Sequence, residues 1–165
     1  MNMLKGKIIL FLLLFAVWLL LTLPAGGSEL IAGCAVAFLA AAIPWGKTMI
    51  LHEVRLNPKS VFFMAVYIFV FLKVLVLSNI DVALRVVSPK LPSNSGIVRV
   101  KTKLKSRLGR LILANSITLT PGTITVETDE DDFFIHWIDV EGESIEDRTK
   151  KIVAGFEKYL EVIVG

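Results

Sequence analysis

Three apolar runs occupy the first half of the chain, and shorter, mixed patterns occupy the second. Ile8–Leu23 and Leu30–Pro44 are almost continuously apolar, and Val61–Leu77 is broken only by Lys73. A membrane span needs roughly 20 apolar residues, so all three runs sit near the lower limit. The pattern predicts helices over about 8–23, 30–45 and 61–87. Between the first two, Pro24 stops one helix, Gly26-Gly27 turn the chain and Ser28 is placed to cap the next. The first two runs therefore predict a helical hairpin, packed through the small residues of the second run, among them Ala32, Gly33 and Ala37. A removable signal peptide is the alternative for the N-terminus, but a second apolar run follows at once. Residues 46–60 read as a short interfacial link with Trp45 at its boundary. The third run is long enough to span and then emerge. Its tail places Asp81 and Arg85 four apart on one face, and Pro89 and Pro92 stop it.

Beyond the linker at 88–96 the periodicity changes. "GIVRVKT" alternates and predicts a strand. "SRLGRLILANS" predicts a short helix with Leu108, Leu111, Ile112 and Leu104 on its apolar side. "TITVETDE" and "DFFIHWIDVEG" predict a hairpin, turning through Asp129–Asp132. "SIEDRTKKIVAGFEKYLEVIVG" predicts one closing helix, started by Ser144 with Asp147 and striped with Ile145, Ile152, Val153, Phe156, Leu160 and Ile163. The expected fold is an α-helical membrane region over 1–89, two short helices plus a longer third, followed by a small α+β domain of order β-α-β-β-α over 90–165. A domain that small is expected to lean on a partner or on the membrane.

Composition agrees with this division. Hydrophobic residues make up 55% of the chain and mean hydropathy is +0.70, above the soluble norm. Net charge is only +3, but it is segregated. Eight basic residues and no acid lie between Val82 and Val126, and ten acids with no Lys or Arg lie between Glu127 and Asp147. Either a basic face meets anionic membrane lipid, or the two blocks neutralise each other on neighbouring strands. Nucleic acid is a poor fit, because the strands lack interleaved basic and aromatic residues.

Loop charge also bears on topology. Lys5 and Lys7 argue for a cytoplasmic N-terminus, and Arg99 to Arg110 argue for a cytoplasmic C-terminal domain. Three full spans satisfy only one of these. The heavier C-terminal charge places that domain in the cytoplasm and leaves a partly re-entrant hairpin as one way out.

The residues do not assemble a catalytic set. The only histidines are His52 and His136, and the lone Cys34 lies in an apolar run, where it packs as a small hydrophobe. No P-loop, G-x-G-x-x-G or metal-ligand spacing occurs. No enzyme activity, cofactor or metal is expected. Lys73 and Asp81 are the candidate intramembrane charges. Lys73 can pair with an acid of a neighbouring protein, flank an ion path, or snorkel to the interface. Asp81 is expected to pair with Arg85.

The most specific stretch is "LILANSITLTPGTITVE", with four Thr between Thr118 and Thr125 around Pro121-Gly122. Pro-Gly suits a type II turn, and Thr118, Thr120 and Thr123 are placed to satisfy backbone groups around it. Preceded by "SNIDVALRVVSP" and followed by "IHWIDVEG", it resembles the E-subunit family of the Mrp-type multisubunit Na⁺/H⁺ antiporters over most of the chain. The residues carrying that resemblance include Asn115, Thr118, Thr120, Pro121, Gly122 and Thr123. The resemblance implies a multi-pass cell-membrane protein, an accessory subunit that supports assembly and cation/proton exchange beside the other subunits of the complex. Related subunits in hydrogenase-type and sulfane-reductase complexes are an alternative, as is a stand-alone membrane-anchored lipid-binding module.

Overall fold

The computed structural model describes residues 2–24, 26–43, 50–88 and 94–165. The readings placed on Trp45, Pro44, Pro89 and Pro92 lie outside the described residues. By packing, the chain divides into two compact units, Met1–Val54 and Arg55–Gly165.

The first unit is a hairpin of α1 (Asn2–Thr22) and α2 (Gly27–Ala42), with a 3-10 turn at Leu51–Glu53. Small residues let the two helices approach. A Cβ at Gly33 would overlap the Trp18 indole, and Ala37 and Ala41 are buried along the same seam. Trp18 Nε1 donates to Glu29 O at 2.9 Å. At the other end, Lys7 Nζ donates to Ala42 O at 3.1 Å, a cation at a helix C-terminus. Ser28 does not cap α2. The N-cap is Gly26, two residues before the capping position expected of Ser28, and the Ser28 hydroxyl turns to the Glu29 carboxylate instead.

The second unit begins with α3 (Pro58–Val87). Pro58 occupies its first turn, where the missing N–H costs nothing, and Asn57 caps it by accepting from Ser60 N at 2.6 Å. Both α1, over Leu4–Thr22, and α3 are long and apolar enough to cross a membrane; α2 is shorter. After α3 come β1 (Gly96–Lys101), α4 (Arg107–Leu119), β2 (Thr123–Asp129), β3 (Asp132–Trp137), α5 (Ile145–Ile152) and α6 (Ala154–Ile163). The three strands form an antiparallel sheet in the order β1-β3-β2.

Alternation sets the buried face. Val98 pairs with Ile135 and Val100 with Phe133, and all four are buried. Leu113 and Ile117 of α4 and Phe156 and Leu160 of α6 are buried with them in the same core. The three strands lie where expected, except that β3 ends at Trp137 and leaves 138–142 outside the sheet, and two helical details differ. Leu104 and Leu108 are buried as expected, but Leu111 is exposed and Ile112 half-buried, and α4 buries Gly109, Leu113, Ser116 and Ile117 in their place. The closing helix is two helices, giving β-α-β-β-α-α. It breaks at Val153, which is fully buried. α5 is tied to the β1 edge, where Lys101 N donates to Thr149 Oγ1 at 3.0 Å, while α6 packs against α3 and α4. One straight helix does not meet both demands.

Candidate functional site: the cleft at the Thr-Pro-Gly-Thr turn

The signature stretch ends α4 and starts β2. Ser106 caps α4 by accepting from Gly109 N at 2.8 Å. At the other end, Thr123 N donates to Thr120 O at 3.3 Å, closing a four-residue turn with Pro121 and Gly122 at its centre. Gly122 has φ 93°, the positive value that a type II turn needs at its third position. The threonine hydroxyls donate to carbonyls of the last turns of α4. Thr120 Oγ1 donates to Ser116 O at 2.7 Å, and Thr123 Oγ1 donates to Ile117 O at 2.7 Å. Thr118 Oγ1 donates to Ala114 O at 2.9 Å and accepts from Thr125 N at 3.2 Å. α4 is thereby stitched to β2 before the sheet begins.

This turn forms one wall of a cleft of about 420 Å³. The second half of α3 forms another wall, and Trp137–Asp139 a third. Ile138 N donates to Gly122 O at 2.9 Å, so the strand end is pinned to the turn. Arg85 bridges two walls of the cleft. Its Nε donates to Asp81 Oδ2 and its Nη1 to Asp139 Oδ2, each at 2.7 Å. The expected Asp81–Arg85 pair is present, and Asp139 extends it from α3 to the end of β3.

The expected site residues divide into groups. Asp81, Thr120, Pro121, Gly122 and Thr123 line the cleft together. Thr118 lies outside it and serves the α4–β2 junction. Asn115 is exposed on α4, and Lys73 is exposed on α3. His136 is exposed on β3. Among the described residues, no group of three or more His, Cys, Asp or Glu is placed to hold a metal ion. The cleft's chemistry is that of a hydrogen-bonded turn and a shared guanidinium.

Several polar contacts were hidden from the sequence. Tyr67 on α3 and Ser116 on α4 are buried and bonded hydroxyl to hydroxyl. Ser60 Oγ, also buried, donates to Val162 O at 2.9 Å. Glu157 is buried on α6, where its Oε1 accepts from Thr102 Oγ1 and from Lys103 N, each at 2.6 Å. Ser116 lies inside the signature stretch, which is the one hint that the sequence offers. Tyr67 and Ser60 sit in or beside an apolar run, and only their three-dimensional partners give them meaning.

The segregated charges also meet. Asp131 accepts from Lys105 at 2.6 Å and from Arg110 at 2.8 Å. Asp132 accepts from Arg99, with Lys101 Nζ 4.0 Å away. The Lys105 hydrogen bond holds Asp131 below the ordinary carboxylate value, and the Arg99 hydrogen bond does the same for Asp132. Of the two readings of the charge blocks, mutual neutralisation accounts for these residues.

Apolar helices and a small three-stranded α+β domain, with a structural cleft where α3 meets that domain, define a membrane protein built around packing. Comparison with known proteins gives the family. A family described as Na⁺/H⁺ ion antiporter subunit matches residues 11–163, and the chain belongs to it. It is 31% identical to the E1 subunit of the Na⁺/H⁺ antiporter of Staphylococcus saprophyticus subsp. saprophyticus over 159 residues, 89% of this chain and 94% of that protein. It is 47% identical to the E subunit of the Na⁺/H⁺ antiporter of Alkalihalophilus pseudofirmus over 72 residues, 42% of this chain, and that match spans only 46% of the relative's length. Among solved structures, it is similar to a chain of the membrane-bound sulfane sulfur reductase, an archaeal respiratory membrane complex. The TM-score is 0.83 at 42% identity, covering 96% of this chain and 98% of that one.

Proposed function

We propose that the chain is an accessory subunit of a multisubunit Na⁺/H⁺ antiporter, needed for assembly of the complex and thereby for cation/proton exchange. In this reading residues 1–89 are the membrane-associated part, residues 90–165 are a cytoplasmic domain, and the protein sits in the cell membrane beside the other antiporter subunits. The observation that carries it is the junction itself. α3 and the α+β domain are joined by Tyr67–Ser116, Ser60–Val162 and Arg85–Asp139, and the signature turn spends its hydroxyls on its own backbone. Such a site holds one element against another and transfers nothing. The turn is then a positioning device. Anionic lipid is a secondary partner of the basic residues that the acidic turn leaves over, such as Lys103 and Arg107.

A second reading has one specific support. The similarity to a chain of the sulfane sulfur reductase complex covers nearly the whole chain, so a respiratory complex with an antiporter-like module is the competing host. Mild-detergent purification of the tagged protein from native membranes, with mass spectrometry of what accompanies it, separates these. Large antiporter-type membrane subunits alone support the antiporter, and added redox subunits support the respiratory complex. A stable, partner-free protein overturns both and leaves a membrane-anchored lipid-binding module.

A further inference from the structure

We infer that α3 does not cross the membrane, and that it lies along the bilayer surface with its exposed face in the acyl boundary and its other face under the α+β domain. The first observation is the length of that packed face. Ser60 bonds to Val162 at the end of α6, Phe63 meets Tyr159, and Tyr67 and Phe71 meet Phe156. Arg85 reaches Asp139. The packed contacts run on one side of α3 from Ser60 to Phe71; the same side then forms a wall of the cleft, and Arg85 closes it beyond. At about 1.5 Å per residue, Ser60 and Arg85 are separated by about 38 Å, more than the roughly 30 Å hydrocarbon core. A spanning α3 would therefore carry the domain, with its Arg99–Asp132 and Lys105–Asp131 pairs, through the full depth of the bilayer. Charged groups removed from water in that way are prohibitively unfavourable.

The second observation is the opposite face. Phe62, Phe69, Leu72, Val76, Ile80 and Leu84 are all exposed and recur at helical spacing over the same length. They are large side chains, unlike the Gly33–Ala37–Ala41 seam by which α2 meets α1. Close helix–helix packing in lipid favours small residues, so this face suits acyl chains. Lys73 stands exposed within the stripe, between Phe69 and Val76 and halfway along α3. In a spanning helix it would sit at mid-bilayer. In a surface helix its stem lies on the acyl boundary and its ammonium reaches the headgroups.

The third observation is charge parity. Lys5 and Lys7 lie in the first turns of α1, before its long apolar run, and Arg99 to Arg110 follow α3. A hairpin returns the chain to its starting side whether it crosses twice or turns back within the membrane. With α3 on the surface, both basic groups face the same compartment, as the positive-inside rule requires. That this compartment is the cytoplasm rests on the proposed function. The orientation of α3 does not.

The test uses the intact complex in phosphatidylethanolamine/phosphatidylglycerol vesicles. With Cys34→Ala as background, single cysteines replace Phe62, Leu72 or Leu84, each bearing an environment-sensitive fluorophore. Depth is read from quenching by lipids labelled at the headgroup and at shallow and deep acyl positions. All three sites are expected to be lipid-accessible and shallow, at depths within about 5 Å of one another. A profile with Leu72 deep and the other two shallow on opposite faces overturns the inference. So does the absence of lipid quenching, which would mean that a protein covers the face. A membrane-impermeant thiol reagent applied to Lys5→Cys and Lys103→Cys in inverted vesicles reads the side separately. Both are expected to be labelled from outside. Equal shallow depths with Lys103→Cys protected there would overturn the cytoplasmic placement and leave the orientation of α3 standing.

Discussion

The hydroxyls of Tyr67 and Ser116 bond to each other in the buried layer between α3 and α4. Ser116 spends its own proton on Ile112 O at 2.8 Å, so Tyr67 donates and Ser116 accepts. The bond therefore has unequal ends. Tyr67→Phe removes the donor and leaves Ser116 bonded to its own helix, with an expected loss of about 1 kcal/mol. Ser116→Ala leaves a buried phenol without a partner, with an expected loss of about 1–3 kcal/mol. Thermal unfolding of the two variants in the same detergent checks the order. Equal losses would mean that the two ends of the bond are not unequal, and would overturn the assignment of Tyr67 as donor.

Gly122 is the next point of leverage. Its φ of 93° is unfavourable for any side chain, and a Cβ there would lie 3.0 Å from Ile138 Cγ2. Gly122→Val should add strain of about 1–3 kcal/mol and misplace the turn, so that the other subunits no longer co-purify. Pro121→Ala keeps the turn and changes mainly the unfolded chain, with an expected loss of about 0.4–1 kcal/mol and normal assembly. Normal assembly of Gly122→Val with lost transport would move the turn from positioning to transport.

Why some of this was legible and some was not follows from range. Strand alternation and the Pro-Gly turn are local, so β1, β2, β3 and the bonding of Thr118, Thr120 and Thr123 could be read from neighbours in sequence. The break at Val153 could not, because Ile152, Val153, Phe156 and Leu160 keep an unbroken helical stripe across it. It arises from two distant anchors, β1 for α5 and α3 for α6. Asp139 and Glu157 were equally opaque, since their partners Arg85 and Thr102 lie 54 and 55 residues away. Hydropathy showed that α3 is apolar enough to span, but only its contacts show that one side faces the α+β domain, packed from Ser60 to Phe71 and bridged again at Arg85.

The two carboxylates on Arg85 should differ in worth. Asp81 is the more exposed, at 58% of its side chain, and lies one helical turn away; Asp139 is 27% exposed and joins α3 to the end of β3. Asp81→Asn should change stability little, as surface i,i+4 pairs do. Asp139→Asn is expected to lose measurably more and to loosen the cleft. A double-mutant cycle on Arg85 with each carboxylate measures both couplings. A larger coupling to Asp81 would show that the bridge adds nothing across the cleft.

Acid should act through the β2–β3 turn. Asp131 and Asp132 are both held below the ordinary value of 3.8, first by hydrogen bonds from Lys105 and Arg99. Between the folded and unfolded values the unfolded chain binds more protons, so stability rises with pH there. Their contribution is fully present above about pH 4–5 and disappears as pH falls through the lowered folded values. Acid titration of the domain's unfolding should be flatter in Asp131→Asn and Asp132→Asn, and flatter still in high salt, which screens exposed pairs. An unchanged acid limb in both variants would place the acid sensitivity elsewhere.

Glu157 gives the sharpest contrast between shape and charge. Its Oε1 gathers the Thr102 hydroxyl and the Lys103 amide, and Thr102 Oγ1 in turn accepts from Leu104 N at 3.2 Å. One buried carboxylate on α6 thus fixes the whole connection from β1 to α4. Glu157→Gln keeps an acceptor oxygen of the same reach, so it should lose only about 0.5–1.5 kcal/mol. Glu157→Ala strands two donors in a closed layer, each worth about 1–3 kcal/mol, and α4 would lose its fixed approach to β2. Chemical-denaturant unfolding of the two variants in detergent, read by the fluorescence of Trp137 at the far end of the sheet, measures the difference. If Gln and Ala prove equally damaging, the negative charge holds the connection, and the hydrogen-bond geometry is incidental.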